Sequence, residues 1–212
     1  MIITYYGHSC FQIQHGDLII VTDPFSPEIG LTPPRSRADI VTVSHQHYDH
    51  NYTDCISGQP FIIQWPGEYE VKGIFIYGLE SFHDNQQGEI RGRNTIFTFE
   101  VDKIKIAHLG DFGQDNLTDQ QIEKLSNVDV LLIPVGGEYT IDGEKAAKIT
   151  NQLEPKIVIP MHYKVPNLKI NLDGPEKFIK EIGLEAEKTQ KLTIKAKDLN
   201  SIEGTKLVIM ER

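Results

Sequence analysis

Asp39-Ile40-Val41-Thr42-Val43 runs straight into Ser44-His45-Gln46-His47-Tyr48-Asp49-His50, so an apolar stretch that reads as a buried strand ends in three histidines and an aspartate. His45 and His47 stand two apart in an extended exit, so their side chains leave on the same side and can meet one ion. Asp49 and His50 follow in the turn, where the curvature of the chain aims them at a second ion beside the first. Imidazole nitrogens joined by one or two carboxylate oxygens suit zinc, manganese or iron(II) at neutral pH. A solvated loop rarely concentrates histidine in this way, and a metal centre is the expectation.

Three more groups sit at or just beyond strand ends, where α/β proteins place reactive side chains. They are His83 in Ser81-Phe82-His83-Asp84, Asp111 in His108-Leu109-Gly110-Asp111, and His162 in Ile159-Pro160-Met161-His162. A site built from them would put His45, His47 and His83 on one ion and Asp49, His50 and His162 on its neighbour. Asp111 would be shared between the two. Asp49 is also the candidate to orient a water nucleophile, and His108 to orient Asp111 or to protonate a leaving group. His8 and Asp23 lie at strand ends and are candidates for support of the site, with a polar clamp on the sheet edge as the plain alternative. Arg91, Arg93 and Lys164 follow His83 and His162 and would hold a phosphate or carboxylate of a substrate, or serve only solubility. Trp65-Pro66-Gly67-Glu68-Tyr69 reads as a turn that walls the pocket or packs at the core edge.

The rest of the first half continues the strand pattern. Ile2 to Tyr6, Cys10 to Gln14 and Leu18 to Thr22 read as a meander, followed by Phe61 to Gln64, Gly73 to Tyr77, Thr95 to Val101 and Ile104 to His108. After Asp111 helices alternate with strands: Thr118 to Ser126 with a Thr118/Gln121 capping box, Asp142 to Gln152, and Pro175 to Ile182 stopped by Gly183. Between and after them lie the strands Val128 to Pro134, Lys156 to Pro160, Lys191 to Lys195 and Thr205 to Met210. Such alternation predicts parallel neighbours joined by crossovers. The sum is two sheets with helices outside, a four-layer α/β arrangement within one domain spanning 1–212. The segment from Pro24 to Pro34 is long for a simple connection, so it must be ordered by contacts or cover something.

Composition narrows the partners. With 21 basic against 30 acidic residues the net charge is -9, which disfavours a nonspecific grip on nucleic acid or on an anionic membrane. Apolar runs stay far below the roughly 20 residues of a membrane helix. The start, MIITYYGHSCF, carries no leader pattern, and Cys10 and Cys55 read as free thiols. A cytoplasmic location is expected. Oligomeric state is left open, a homo-oligomer being compatible with a metabolite hydrolase of this size.

Tyr6-Gly7-His8-Ser9-Cys10-Phe11, Thr22-Asp23-Pro24-Phe25, the H-x-H-x-D-H signature from His45 to His50, His83, Gly110-Asp111 and Ile159-Pro160-Met161-His162 together resemble the metallo-β-lactamase fold superfamily. Within it the chain resembles small hydrolases of the ascorbate-6-phosphate lactonase-like group, over essentially its whole length. The resemblance implies an αββα sandwich with a dinuclear site at one edge between the sheets, and it implies the same division of ligands between two divalent ions, zinc or manganese first and iron also admissible. Asn51-Tyr52-Thr53 departs from the glycine that many relatives carry after the signature, and the modules of RNA-processing relatives are absent. The function expected is hydrolysis of a small anionic ester-type metabolite, such as a sugar-acid lactone, by an activated water. The alternatives are a phosphodiesterase or nuclease, and a metal-binding scaffold or sensor without turnover.

Overall fold

A computed structural model describes Met1–Arg212. The first half supplies β1 (Ile2–Gly7), β2 (Cys10–His15), β3 (Leu18–Thr22), β4 (Ile40–Thr42), β5 (Phe61–Ile63), β6 (Gly67–Val71), β7 (Ile74–Phe82), β8 (Arg93–Val101) and β9 (Ile104–His108). Then come α1 (Asp119–Leu125), β10 (Val130–Pro134), α2 (Gly143–Leu153), β11 (Ile157–Met161), α3 (Glu176–Ile182), β12 (Ala186–Thr189), β13 (Lys191–Thr193), α4 (Ala196–Leu199) and β14 (Lys206–Met210). They form a six-stranded sheet in the order β13-β1-β2-β3-β4-β5 and an eight-stranded sheet in the order β12-β14-β11-β10-β9-β8-β7-β6. The expected crossovers are present for β9, β10, β11, β14 and β12, which all run parallel, but β13, expected in the same alternation, pairs antiparallel with β1 in the other sheet.

Two-residue periodicity explains how the sheets pack. Along β10, Val130 and Leu132 enter the core between the sheets, while Leu131 and Ile133 face the helices on the other side. A strand covered on both faces is apolar throughout, which is why Val130–Pro134 reads as a continuous run. The outer face of the eight-stranded sheet is covered by helices, with Leu125 of α1, Ala146 and Ala147 of α2 and Phe178 of α3 in one cluster. Thr118 caps α1 as expected: its hydroxyl accepts the Gln121 amide at 3.2 Å, and the Gln121 side chain accepts the Thr118 amide at 3.0 Å.

Over the six-stranded sheet the cover differs. Phe25, Ile29 and Leu31, from the segment read as Pro24 to Pro34, pack with Leu168 and Leu172 on Val21 and Val41. The Pro24 to Pro34 segment holds a single 3-10 turn, Pro27–Ile29, because prolines 24, 27, 33 and 34 forbid a longer helix, and a second 3-10 turn, Thr53–Cys55, leads Ile56 into the same cluster. This cover also shapes the site edge, since the Ser26 amide donates to the Tyr48 carbonyl at 3.0 Å and the Lys169 amide to the Ile29 carbonyl at 2.8 Å. Three elements were not anticipated: β6, β12 and the short α4. β6 and β12 are half-exposed, edge strands rich in glutamate and lysine, so they lack the apolar alternation that marks an inner strand.

α2 and α3 meet closely, because a Cβ on Gly143 would lie 2.4 Å from the Phe178 backbone nitrogen. Phe178 itself is fully buried between them and the sheet. Phe178→Ala is therefore expected to cost about 3–5 kcal/mol, read from the shift of a urea unfolding midpoint at constant slope.

Candidate metal centre

Strand ends deliver the site. The exit of β4 carries Ser44 to His50, the exit of β7 His83, the exit of β9 Asp111, and the exit of β11 His162. All these exits lie at one edge between the two sheets, and the turn between β1 and β2 brings His8 to the same place. Its backbone ties the sheets together there, since the His162 amide donates to the His8 carbonyl at 2.8 Å. Three of the site residues, His8, Asp23 and His162, have positive φ values of 56°, 40° and 51°. Non-glycine residues accept that conformation at a cost of roughly 1–3 kcal/mol, usually where a site requires it.

The Asp111 carboxylate is the hub. Its Oδ2 lies 3.1 Å from His162 Nε2, 3.2 Å from His83 Nε2, 3.3 Å from His50 Nε2 and 3.9 Å from His45 Nε2. Three sets of donor atoms fall within one ion's reach: His45, His47 and His83; His8, Asp49, His50 and His162; and His45, His50 and Asp111. All seven residues expected as ligands from the sequence are thus brought together. His8 joins them more closely than its sequence context suggested, with Nε2 3.1 Å from both Asp49 Oδ2 and His50 Nε2.

The donor set fits divalent metal. His45 Nε2 and Asp111 Oδ1 are buried without a hydrogen-bond partner, a condition that costs about 1–3 kcal/mol per group when nothing satisfies it. Imidazole with carboxylate is chemistry for zinc, manganese or iron(II). Burial lowers the affinity of His45 for a proton, aided by the charge on His50, and His8 is lowered to about 4 by burial and by His162. Burial opposes protonation of His50 too, yet the carboxylates of Asp111 and Asp49 outweigh it and raise its pKa. Burial would raise the Asp111 carboxyl, but the His162 and His50 rings hold it well below the usual carboxylate range.

Hydrogen bonds behind the donors fix their orientation. Asp23, fully buried, accepts from His50 Nδ1 at 2.9 Å, from the Ser44 hydroxyl at 2.6 Å and from the Ser44 amide at 2.8 Å. The same Ser44 oxygen lies 3.0 Å from His45 Nδ1, so one carboxylate steers both rings and leaves each Nε2 facing the cluster. Asn94 holds the next strand exit, accepting the Asp111 amide at 2.9 Å and donating to the Leu109 carbonyl at 2.9 Å. Gly110 between them has φ 57°, and a Cβ there would lie 2.3 Å from Asn94 Oδ1.

Two expectations are corrected. His108 makes no hydrogen bond to Asp111 and does not line the cleft; it is fully buried, with Nε2 2.8 Å from the Ser9 carbonyl and Nδ1 accepting the Gly110 amide at 3.2 Å. Both ring nitrogens are thereby occupied, so it clamps the β1–β2 turn to the other sheet instead of serving the substrate. Lys164 turns away from the cleft, its ammonium donating to the carbonyls of Leu168 and Ile170 at 2.7 and 3.1 Å. Lys169, on the segment tied to Ile29, lines the cleft in its place. Arg91 lines it as anticipated, whereas Arg93 stands further out and pairs with Glu80 at 3.2 Å. The Asn51 amide closes a turn on the His47 carbonyl at 3.1 Å.

Sequence reasoning missed Ser44, Asn94 and Asp84. The Asp84 carboxylate accepts the amides of Gln86, Gly88, Ile90 and Arg91 at 2.8–3.0 Å and so folds the loop that presents Arg91. Burial would raise this carboxyl, but the four amides prevail and bring it down to about 2. Its position directly after His83 was the available signal.

Replacing Asp23 with alanine is expected to weaken zinc binding about 10–100-fold in a chelator competition, with circular dichroism unchanged. Asp84→Asn is expected to lower stability by about 2 kcal/mol at neutral pH. Because the folded Asp84 carboxyl titrates below the ordinary 3.8, its contribution is present above that value and lost as pH falls toward about 2. The stability gap between wild type and Asp84→Asn in urea melts should narrow over that interval.

Comparison with known proteins agrees with this geometry. The family model described as beta-lactamase superfamily domain matches residues 2–162. A UPF0173 metal-dependent hydrolase of Thermococcus onnurineus is 28% identical over 215 residues, covering 87% of this chain and 93% of that protein. A crystal structure from Thermotoga maritima, assigned as a Zn-dependent hydrolase of the metallo-beta-lactamase superfamily, is 40% identical with a TM-score of 0.82, covering 99% of this chain and 98% of that one. The metallo hydrolase Igni18 of Ignicoccus hospitalis shares the fold at 22% identity and a TM-score of 0.65, covering 99% of this chain and 94% of its own. The chain belongs to the beta-lactamase superfamily domain family and is a metal-dependent hydrolase of the metallo-beta-lactamase superfamily.

Proposed function

We propose that the protein hydrolyses a small anionic ester-type metabolite at a pair of divalent ions, zinc or manganese with iron(II) also accepted. The observation that carries this reading is the set of imidazole nitrogens gathered on one Asp111 oxygen beside a second, unpartnered one. His45, His47 and His83 would hold one ion, Asp49, His50 and His162 the other, and Asp111 would bridge them. When bound, such ions supply a water nucleophile at neutral pH and stabilise charge developing on the substrate oxygen.

The remaining work falls to the chain itself. Asp49 lines the cleft, and its Oδ2 accepts from His8 Nε2 at 3.1 Å. Burial would raise its carboxyl, but the charge on His50 and the hydrogen bond from His8 override this, so it is ionised and can accept a hydrogen bond from the attacking water. Arg91 and Lys169 line the same cleft, a cavity of about 660 Å³, and supply the positive charge that an anionic substrate needs on a chain of net charge -9. Tyr48 and Tyr139 wall it, with the Arg91 guanidinium 5.5 Å from the centre of the Tyr139 ring. A sugar-acid lactone is one member of this class. The same two cations suit a phosphate, so phosphodiester hydrolysis is the second reading. No helix is long and apolar enough to cross a membrane, and two unbridged cysteines suit a cytoplasmic setting.

The metal-loaded protein assayed against a lactone panel, a nucleotide phosphodiester panel and bis-p-nitrophenyl phosphate separates the readings. Lactone or carboxylic ester turnover without phosphodiester turnover supports the first, and the reverse supports the second. Silence on every panel at full metal loading would favour a scaffold without turnover. Chelation should abolish the activity and metal should restore it. His45→Ala should stay folded, hold less metal and lose activity by about three orders of magnitude, and normal turnover in that variant would defeat the proposal.

A further inference from the structure

The cleft over the metal centre does not end at the cavity walled by Tyr48 and Tyr139. A second cavity of about 440 Å³ adjoins it on the side of β5 and β8, and His47 and Arg91 line both. The two are therefore arms of one cleft that meet at the donor cluster, where His45 forms part of the second arm. Their chemistry differs. The first arm has two tyrosines and Lys169, and the second has Gln46, Gln64, Trp65 and Arg93.

The second arm is built rather than left over. Trp65 is the only tryptophan of the chain and its side chain is largely in water, at 64% exposure. A single exposed apolar residue is ordinary on a protein surface, but the main chain that carries this one is held in place. The Tyr69 hydroxyl donates to its carbonyl at 2.9 Å, and the Trp65-Pro66 turn lies so close to β7 that a Cβ on Gly78 would be 2.9 Å from that carbonyl. Opposite, Asn51 donates to Gln46 at 3.3 Å and Gln46 to Gln64 at 3.1 Å, forming a polar rim. The Arg91 main chain is held by Asp84, and Arg93 pairs with Glu80 where both side chains are exposed and the pair is weak. An exposed indole in a cavity that two arginines also line is a surface for a flat anion: the ring offers a stacking face, and the charge is met by arginine.

We propose that this second arm binds one of the two halves of an open-chain ester, and that this half is a flat ring carrying a negative charge. The proposal rests on the hydrolase reading above and narrows its substrate class. In the reaction the oxygen of water bonds to the carbonyl carbon or phosphorus, the bond to the leaving oxygen breaks, and the leaving oxygen takes up a proton. An open-chain ester yields two products that need two places to lie, one in each arm. A lactone yields one product and would use one arm alone.

Trp65 reports on its own arm without any turnover. The zinc-loaded protein is titrated with benzenesulfonate, whose sulfonate is a poor metal ligand, and with methanesulfonate and benzyl alcohol, which separate charge from ring. Benzenesulfonate should shift the Trp65 emission saturably to shorter wavelength as the indole leaves water, with the other two lacking effect at equal concentration. Arg93→Gln should raise the half-saturating concentration about three- to tenfold, and Trp65→Ala, followed by calorimetry, should weaken the same binding by about tenfold or more. Both side chains are exposed, so both variants should fold, as circular dichroism would verify. Absence of a saturable shift, equal responses to all three probes, or wild-type affinity in both variants would overturn the second arm. Loss of the hydrolase reading would look different: a silent hydrolysis panel beside an intact benzenesulfonate titration.

Discussion

A single buried oxygen governs this molecule. Asp111 Oδ2 has three imidazole nitrogens within 3.1–3.3 Å, at the floor of the cleft where the carboxylate is almost closed to solvent. An ionised carboxylate tolerates such a setting only when cations or donors surround it closely. The demand propagates outward: the histidines present their Nε2 atoms inward, and for His45 and His50 the outer nitrogens are held by Ser44 and Asp23. Gly110 must take a left-handed turn against Asn94 so that the carboxylate arrives at all. Changes several residues removed from the donors therefore act on the metal centre.

The second constraint is that the donors come from both sheets. The turn from Gly7 to Ser9 belongs to the six-stranded sheet, yet its carbonyls are gripped from the other. His162 reaches the His8 carbonyl and His108 the Ser9 carbonyl, with Tyr5 and Thr22 adding hydroxyl donors at 2.9 and 3.1 Å. A buried histidine with both nitrogens engaged makes a rigid cross-brace, because removing it would strand two polar groups in a dry interior. The left-handed conformations at His8, Asp23 and His162 are held against their intrinsic cost by these contacts.

Much of this was legible in the chain. Histidine and carboxylate donors stand where strands stop, so four short motifs announced themselves. Parallel strands covered on both faces had to be apolar, and the capping box of α1 had to carry Thr118 and Gln121. What stayed hidden depends on distant partners. Asn94 sits just before the stretch that reads as a strand, Thr95 to Val101, and matters because Asp111 arrives beside it from another strand. The difference between Lys164 and Lys169 lies in how a loop turns, which no local pattern encodes. His108 looked like a group facing the site because it precedes Asp111, whereas strand alternation sends its ring toward Ser9. β6 and β12 escaped because edge strands trade apolar residues for charge, and that removes the signal used to find them.

The cross-brace between His8 and His162 has a consequence for biogenesis. The earliest and among the latest of the donor segments to leave the ribosome must meet before the cage exists, and loop closure over so much chain is slow. A nascent or truncated polypeptide can offer His45 to His50 to a passing ion, but without the β11 exit that encounter stays incomplete. Tight capture of metal then marks a chain whose topology is finished, and the cofactor becomes a seal on correct assembly as much as a tool for chemistry.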